Sequence, residues 1–97
     1  MGFVQIIDFK TSRMDEGRAL VEEWEKATEG KRTASRAVLC QDRDDPNRYV
    51  NIVFFDSYES AMENSNLPET QQLSSDLAKL MDGPPTFLDL DVIDEMG

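Results

Sequence analysis

At 97 residues and 39% hydrophobic composition, the chain can build one modest core and not two, so residues 1–97 read as a single domain. Twenty Asp and Glu against ten Lys and Arg give a net charge of −10, which repels phosphate backbones and anionic lipid headgroups and argues against nucleic-acid and membrane partners. Cys40 is the single cysteine; an intramolecular disulfide is excluded, and with neither a secretory-type start nor an apolar run of membrane-spanning length the expected location is cytoplasmic.

Phe3 to Phe9 is dense in β-branched and aromatic residues and predicts a first strand. Ser12 and Asp15, in capping-box-like spacing, then introduce a helix with Gly17, Leu20, Val21, Trp24 and Ala27 at helical intervals, closed by Gly30 as a C′ residue. Thr33 to Gln41 alternates weakly around Ala37, Val38, Leu39 and Cys40, whereas Tyr49 to Phe55 is a strong strand. The turn formers from Asp42 to Asn47 between them predict a hairpin loop.

Asp56 and Ser57 offer an N-cap for a short helix through Ala61 and Met62, which breaks near Asn64-Ser65-Asn66. A second piece starts from the capping box Asn66-x-x-Glu69 with Pro68 in its first turn. It carries Leu73, Leu77, Leu80 and Met81 as an apolar stripe and stops at Gly83-Pro84-Pro85. Phe87 to Ile93 is the last strand, with Leu88, Leu90 and Val92 on one face and Asp89 and Asp91 on the other.

The order βαββαβ, with right-handed crossovers, predicts an α+β ferredoxin-like domain: a four-stranded antiparallel sheet with both helices on one face, the second of them broken. Such a sheet has one bare face, and three of these strands are apolar on both sides. If Val4, Ile6, Val50, Ile52, Phe54, Leu88, Leu90 and Val92 meet the helices, then Phe3, Ile7, Phe9, Val53, Phe55, Phe87 and Ile93 face outward. Seven large apolar side chains exceed the patch a soluble monomer tolerates, so the second set is expected to be the interface of a sheet-to-sheet homodimer.

Several segments together resemble the antibiotic biosynthesis monooxygenase-like family of the dimeric α+β barrel superfamily. They are Phe55-Asp56-Ser57-Tyr58-Glu59 leading into a broken second helix, Leu67-Pro68-Glu69-Thr70, and Gly83-Pro84-Pro85 before Leu88-Asp89-Leu90-Asp91-Val92. The resemblance spans Phe3 to Ile93. It implies a pocket between sheet and helices and an activity drawn from cofactor-independent oxygenases on phenolic substrates, quinol oxygenases and haem-degrading enzymes, alongside members of no known activity. The chain departs from the family pattern by having Phe55 where a Trp is common and Asn64 where a His is common. Without any histidine, histidine ligation of haem iron is ruled out.

Metal chemistry is not expected either. Asp42-x-Asp44-Asp45 lacks the glycine and the closing bidentate Glu of a calcium loop, and there are no histidines or paired cysteines for zinc. Cys40, in an apolar strand with no activating base, reads as a buried inert thiol. What remains are polar residues set among apolar ones. An amide at Asn51 must find hydrogen bonds, either in a dimer interface or from a ligand. Asn51, Tyr49, Trp24 and Arg36 are therefore the candidate anchors for a small apolar or aromatic ligand. Two functions follow, neither needing a cofactor: a small-molecule-binding or structural dimer without a catalytic constellation, or a cofactor-independent monooxygenase on an aromatic or polyketide-like substrate, in which positioning and desolvation do the chemistry.

Overall fold

The computed structural model describes residues 2–97. Its elements run β1 (Phe3–Lys10), α1 (Met14–Ala27), β2 (Ala34–Gln41), β3 (Arg48–Phe55), α2 (Tyr58–Asn66), α3 (Pro68–Ala78) and β4 (Thr86–Asp91). The four strands form one antiparallel sheet in the order β2-β3-β1-β4. That is the ferredoxin-like α+β arrangement, with the second helix divided into α2 and α3.

The division follows from local chemistry. Ser57 caps α2 by accepting from the Ser60 N–H at 3.1 Å. Leu67 then turns extended, and Pro68 opens α3 where its missing N–H leaves no bond unmade. The capping box expected from Asn66 does not form, because the N-cap position belongs to Leu67, which carries no capping side chain. Likewise α1 starts from Arg13 without a side-chain cap; Thr11 Oγ1 instead accepts from the Arg13 N–H at 3.0 Å, one residue earlier than the Ser12 box predicts. Gly30 is in the left-handed region at φ 82°, two residues beyond the C-cap Thr28. The last strand ends at Asp91, so Ile93 lies beyond the sheet.

The two faces of the sheet are the reverse of the sequence expectation. Phe3 and Phe55, paired across β1 and β3, are each 3% exposed and form the core with Ala61 of α2, flanked by Val53 and Met62. Tyr58 adds an edge-to-face contact to Phe3 at 5.5 Å. By register Gln5, Ile7, Phe9, Tyr49, Asn51, Phe87 and Asp89 share that helix-facing side. Phe3, Ile7, Phe9, Val53, Phe55 and Phe87 are thus on the helix side and not on an outward interface. The outward side carries Val4, Ile6, Val38, Val50, Ile52, Phe54, Leu88 and Leu90. Cys40 sits there too, opposite Val50, and is exposed, not buried.

α3 is tethered at both ends. Trp24 Nε1 of α1 donates to Thr70 Oγ1 at 2.9 Å near its start. Past its end, Thr11 Oγ1 donates to the Leu80 carbonyl at 2.6 Å and the Asp82 N–H donates to the Lys10 carbonyl at 2.8 Å. The loop after α1 is held by the buried Asn64, whose Oδ1 accepts from the Thr33 N–H, and by the bond from Thr33 Oγ1 to the Ser60 carbonyl.

Candidate functional site

On the helix-facing side the register arranges side chains in rows across the sheet. Nearest α2 lie Phe3 and Phe55; the next row holds Asp89, Gln5, Val53 and Ala37; then Phe87, Ile7, Asn51 and Leu39; and at the hairpin end Phe9, Tyr49 and Gln41. Only the first row is buried. Ile7, Phe9, Tyr49 and Asn51 are half-buried, as are Leu20, Val21 and Trp24 of α1 and Leu73 and Leu77 of α3. The sheet and the helix layer therefore leave a seam of apolar and amide side chains that the chain does not close by itself.

Within this seam the polar groups are sparse. The Phe9 and Tyr49 rings stack at 5.8 Å and 22°, and Gln41 Nε2 donates to the Tyr49 hydroxyl at 3.4 Å. Gln5 Nε2 donates to Asp89 Oδ1 at 3.2 Å. Among the described residues the Asn51 side chain has no hydrogen-bond partner, although Ile7 and Leu39 flank it in register. A half-buried amide between two aliphatic side chains, with both its donor and its acceptor free, is a ready anchor for a polar group on an otherwise apolar ligand.

The four anchors expected from sequence divide two and two. Tyr49 and Asn51 lie on one strand, one row apart, and face the seam together. Trp24 spends its only N–H on Thr70, and the Arg32 guanidinium lies over its ring at 5.4 Å. It fastens α1 to α3, assisted by the exposed Lys31–Glu69 ion pair at 2.7 Å, which holds the Glu69 carboxyl below its ordinary range. Arg36 is on the other face. A β-bulge between Ala34 and Arg36 inserts Ser35, so Ala34 opposes Phe55 while Arg36 opposes Phe54; its guanidinium sits over the Phe54 ring at 5.2 Å. Gln5 and Asp89, polar residues in apolar strands that the sequence marks without pairing, are brought together on the helix-facing side by the β1–β4 register.

The strongest electrostatic cluster belongs to the outward face, at the β2–β3 hairpin. Arg48 forks onto Asp8 at 2.7 and 3.1 Å and reaches Asp42 at 2.8 Å, while Lys10 meets Asp45 at 3.2 Å. The Asp42 carboxyl is held below its ordinary 3.8 chiefly by the Asp44 N–H and then by Arg48. Asp45 is lowered by the Asn47 N–H and then by Lys10. The two carboxylates raise Arg48, Asp8 first. The Asp42 and Asp45 side chains cap their own turn by accepting the Asp44 and Asn47 N–H groups, which is the hairpin role expected of them. Among the described residues no group of three His, Cys, Asp or Glu side chains converges as a metal site would require, and no helix is long and apolar enough to cross a membrane.

Two shallow surface grooves lie away from the seam. One lies at the end of the sheet beside Phe3, Phe55 and Asp56 and the other along the charged side of α1. Neither is lined by Tyr49 or Asn51.

No protein-family model matches the chain, and no curated relative does. Solved structures do match, over nearly their whole length. SnoaB, a cofactor-independent oxygenase from Streptomyces nogalater, superposes in a mutant form with a TM-score of 0.82 at 14% identity, covering 98% of this chain and 96% of that one. Rv0793 from Mycobacterium tuberculosis gives a TM-score of 0.80 at 18% identity, with each chain covered in full. A further structure described as an antibiotic biosynthesis monooxygenase gives 0.76 at 18% identity, covering 97% of this chain and all of that one. At these identities the likeness is one of fold, and in fold the chain is a ferredoxin-like α+β domain of the kind found in antibiotic biosynthesis monooxygenase structures.

Proposed function

We propose that the protein is a homodimer that binds a small, largely apolar or aromatic molecule in the seam between the sheet and the α1–α3 layer, with Asn51 and Tyr49 as its polar anchors. The observation that carries the ligand half is the unpartnered Asn51 amide set between Ile7 and Leu39. Surface area supports the dimer half. A compact monomer of 11.0 kDa exposes about 5,600 Å², whereas this chain exposes 6773 Å². The excess of about 1,100 Å² exceeds the ~800 Å² that each partner buries in a standard interface. Among the described residues the buried apolar core is only Phe3, Phe55 and Ala61, and Leu88 and Leu90 on the outward face stay 47% and 44% exposed. The outward face supplies a matching patch: Val4, Ile6, Ile52, Phe54, Leu88 and Leu90 at the centre, with Arg48, Asp8 and Lys10 at one rim, the layout of an apolar interface core with a polar border.

A second reading, cofactor-independent oxygenation of a phenol or quinol, is favoured by the shared fold with SnoaB. It needs a group to take the phenolic proton and a cation or donor array to hold the resulting anion. On the sheet side of the seam the carboxylates are Asp89 and Asp91, Asp89 already accepting from Gln5, and the cations of the sheet lie on the other face. Binding without turnover is therefore the first reading. Sedimentation at micromolar concentration should give a species of twice the chain mass. Oxygen uptake with a panel of anthrones and quinols should stay at the buffer rate; a rate above buffer that Asn51→Ala abolishes would establish the oxygenase instead.

A further inference from the structure

The sheet sorts its charges by face. Its three cations, Lys10, Arg36 and Arg48, all lie on the outward side, where Lys10 and Arg48 are matched by carboxylates and Arg36 by the Phe54 ring. Asp8 is on that side too, paired with Arg48. The two remaining strand carboxylates, Asp89 and Asp91, lie on the helix-facing side with no ion-pair partner among the described residues. Cations at the ends of the helix layer are engaged elsewhere: Arg13 with Glu16, Lys31 with Glu69, and Arg32 over Trp24.

Resting on the reading of the seam as a ligand site, we infer that the seam selects an aromatic cation, its ring against Phe87 and Ile7 and its positive charge on Asp89. Phe87 is 53% exposed, directly precedes Asp89 on the same face of β4, and pairs with Ile7; an exposed ring two residues from an unpaired carboxylate offers apolar contact, ring-face attraction for a cation and a counter-ion within one side-chain length. Gln5 holds that carboxylate in place through its amide N–H. On the sheet side of the seam an anionic ligand meets no cation and faces the carboxylates of Asp89 and Asp91, so it is disfavoured by charge even where its ring fits.

Three probes of one shape test this: naphthylmethylammonium, naphthylmethanol and naphthoate, titrated into the intact protein while the side-chain amide resonances of Asn51 and Gln5 are followed by NMR. The ammonium should bind about fivefold more tightly than the alcohol, the scale of a partly exposed ion pair with a ring contact, and the carboxylate most weakly. Asp89→Asn should bring the ammonium-to-alcohol ratio close to one. Glu22→Gln, an equal loss of charge on an exposed position of α1, should leave the ratio unchanged and so separates a local counter-ion from the overall negative charge. Naphthoate binding as well as the ammonium, or a ratio that Asp89→Asn does not move, would overturn the inference while leaving the ligand site standing. If none of the probes shifts Asn51 or Gln5, the ligand site itself is lost and the charge selection with it.

Discussion

The two faces of this sheet are built from nearly the same apolar material and end up differently. Phe54 and Phe55 are consecutive, both on the central strand β3, yet Phe55 is sealed under α2 at 3% exposure while Phe54 points outward beneath Arg36. The helix-facing side has a small dry core at one end and a half-open, amide-bearing seam at the other. The outward side has no cover within the chain and ends in ion pairs. Hydrophobic content therefore does not distinguish a core face from an interface face; the distribution of the polar groups does. Unpaired amides and carboxylates collect along the half-open seam, and matched charges collect at the rim of the outward apolar patch, the pattern expected if the seam takes a ligand and a second copy covers the patch.

The comparison breaks most sharply at its centre. Ile52→Asp, on the outward face of β3 opposite Ile6, should convert the dimer wholly to monomer in sedimentation, because a carboxylate at the middle of an apolar interface has no partner to offset its desolvation. Circular dichroism should retain the helix and strand signals. If Ile52→Asp sediments as wild type, the outward face is not the interface.

On the other side of the same strand, Phe55→Ala should cost about 3–5 kcal/mol in denaturant unfolding, the range for a buried Phe truncated to a cavity. Phe54→Ala should cost much less in the isolated fold and register mainly as weaker association. Equal losses at 54 and 55 would erase the distinction between the faces. A smaller effect is expected where the helix layer is fastened: Thr70→Val strips the acceptor from Trp24 Nε1 and should lower stability by about 1 kcal/mol, read as a reduced midpoint with unchanged slope in urea.

Much of this architecture is legible in the sequence for local reasons. Ser57 as a cap, Pro68 at the start of α3, and Asp42 and Asp45 as turn formers act on their own backbone within three residues, and composition exposes such effects. Strand parity also separates the two sets of side chains correctly: Asn51 and Tyr49 share a face with Val53 and Phe55. Parity does not say which set meets the helices when both are apolar, and there the expected interface of Phe3, Val53 and Phe55 is inverted. Arg36 fails for a different cause, the extra residue at Ser35 that flips the parity of β2 at one end. The Trp24–Thr70 bond joins residues 46 apart, and the Gln5–Asp89 bond residues 84 apart. Neither has a sequence signal apart from the topology that brings the elements together.

The smallest expected effect concerns the charged rim. Asp42 and Asp45 have carboxyl groups lowered in the folded protein relative to 3.8. The unfolded chain therefore binds their protons first as pH falls, and the stability they contribute is complete above about pH 5 and is lost through pH 4 and below. Arg48 is raised further above its already strongly basic value by Asp8 and Asp42, so it stays charged throughout that window and acts only as the partner. Arg48→Met keeps the length and apolar stem while removing the guanidinium. It should flatten the part of the acid-side stability decline that Arg48 imposes on Asp42, leaving the part due to the Asp44 and Asn47 N–H groups. All these groups are solvent-screened, so the loss at neutral pH should be small and should shrink further in molar salt. If the decline between pH 5 and 3 is as steep in Arg48→Met as in wild type, the carboxylates are governed by their own turn and the outward rim is electrostatically passive. The ordering of this charged edge would then rest on the hairpin backbone alone.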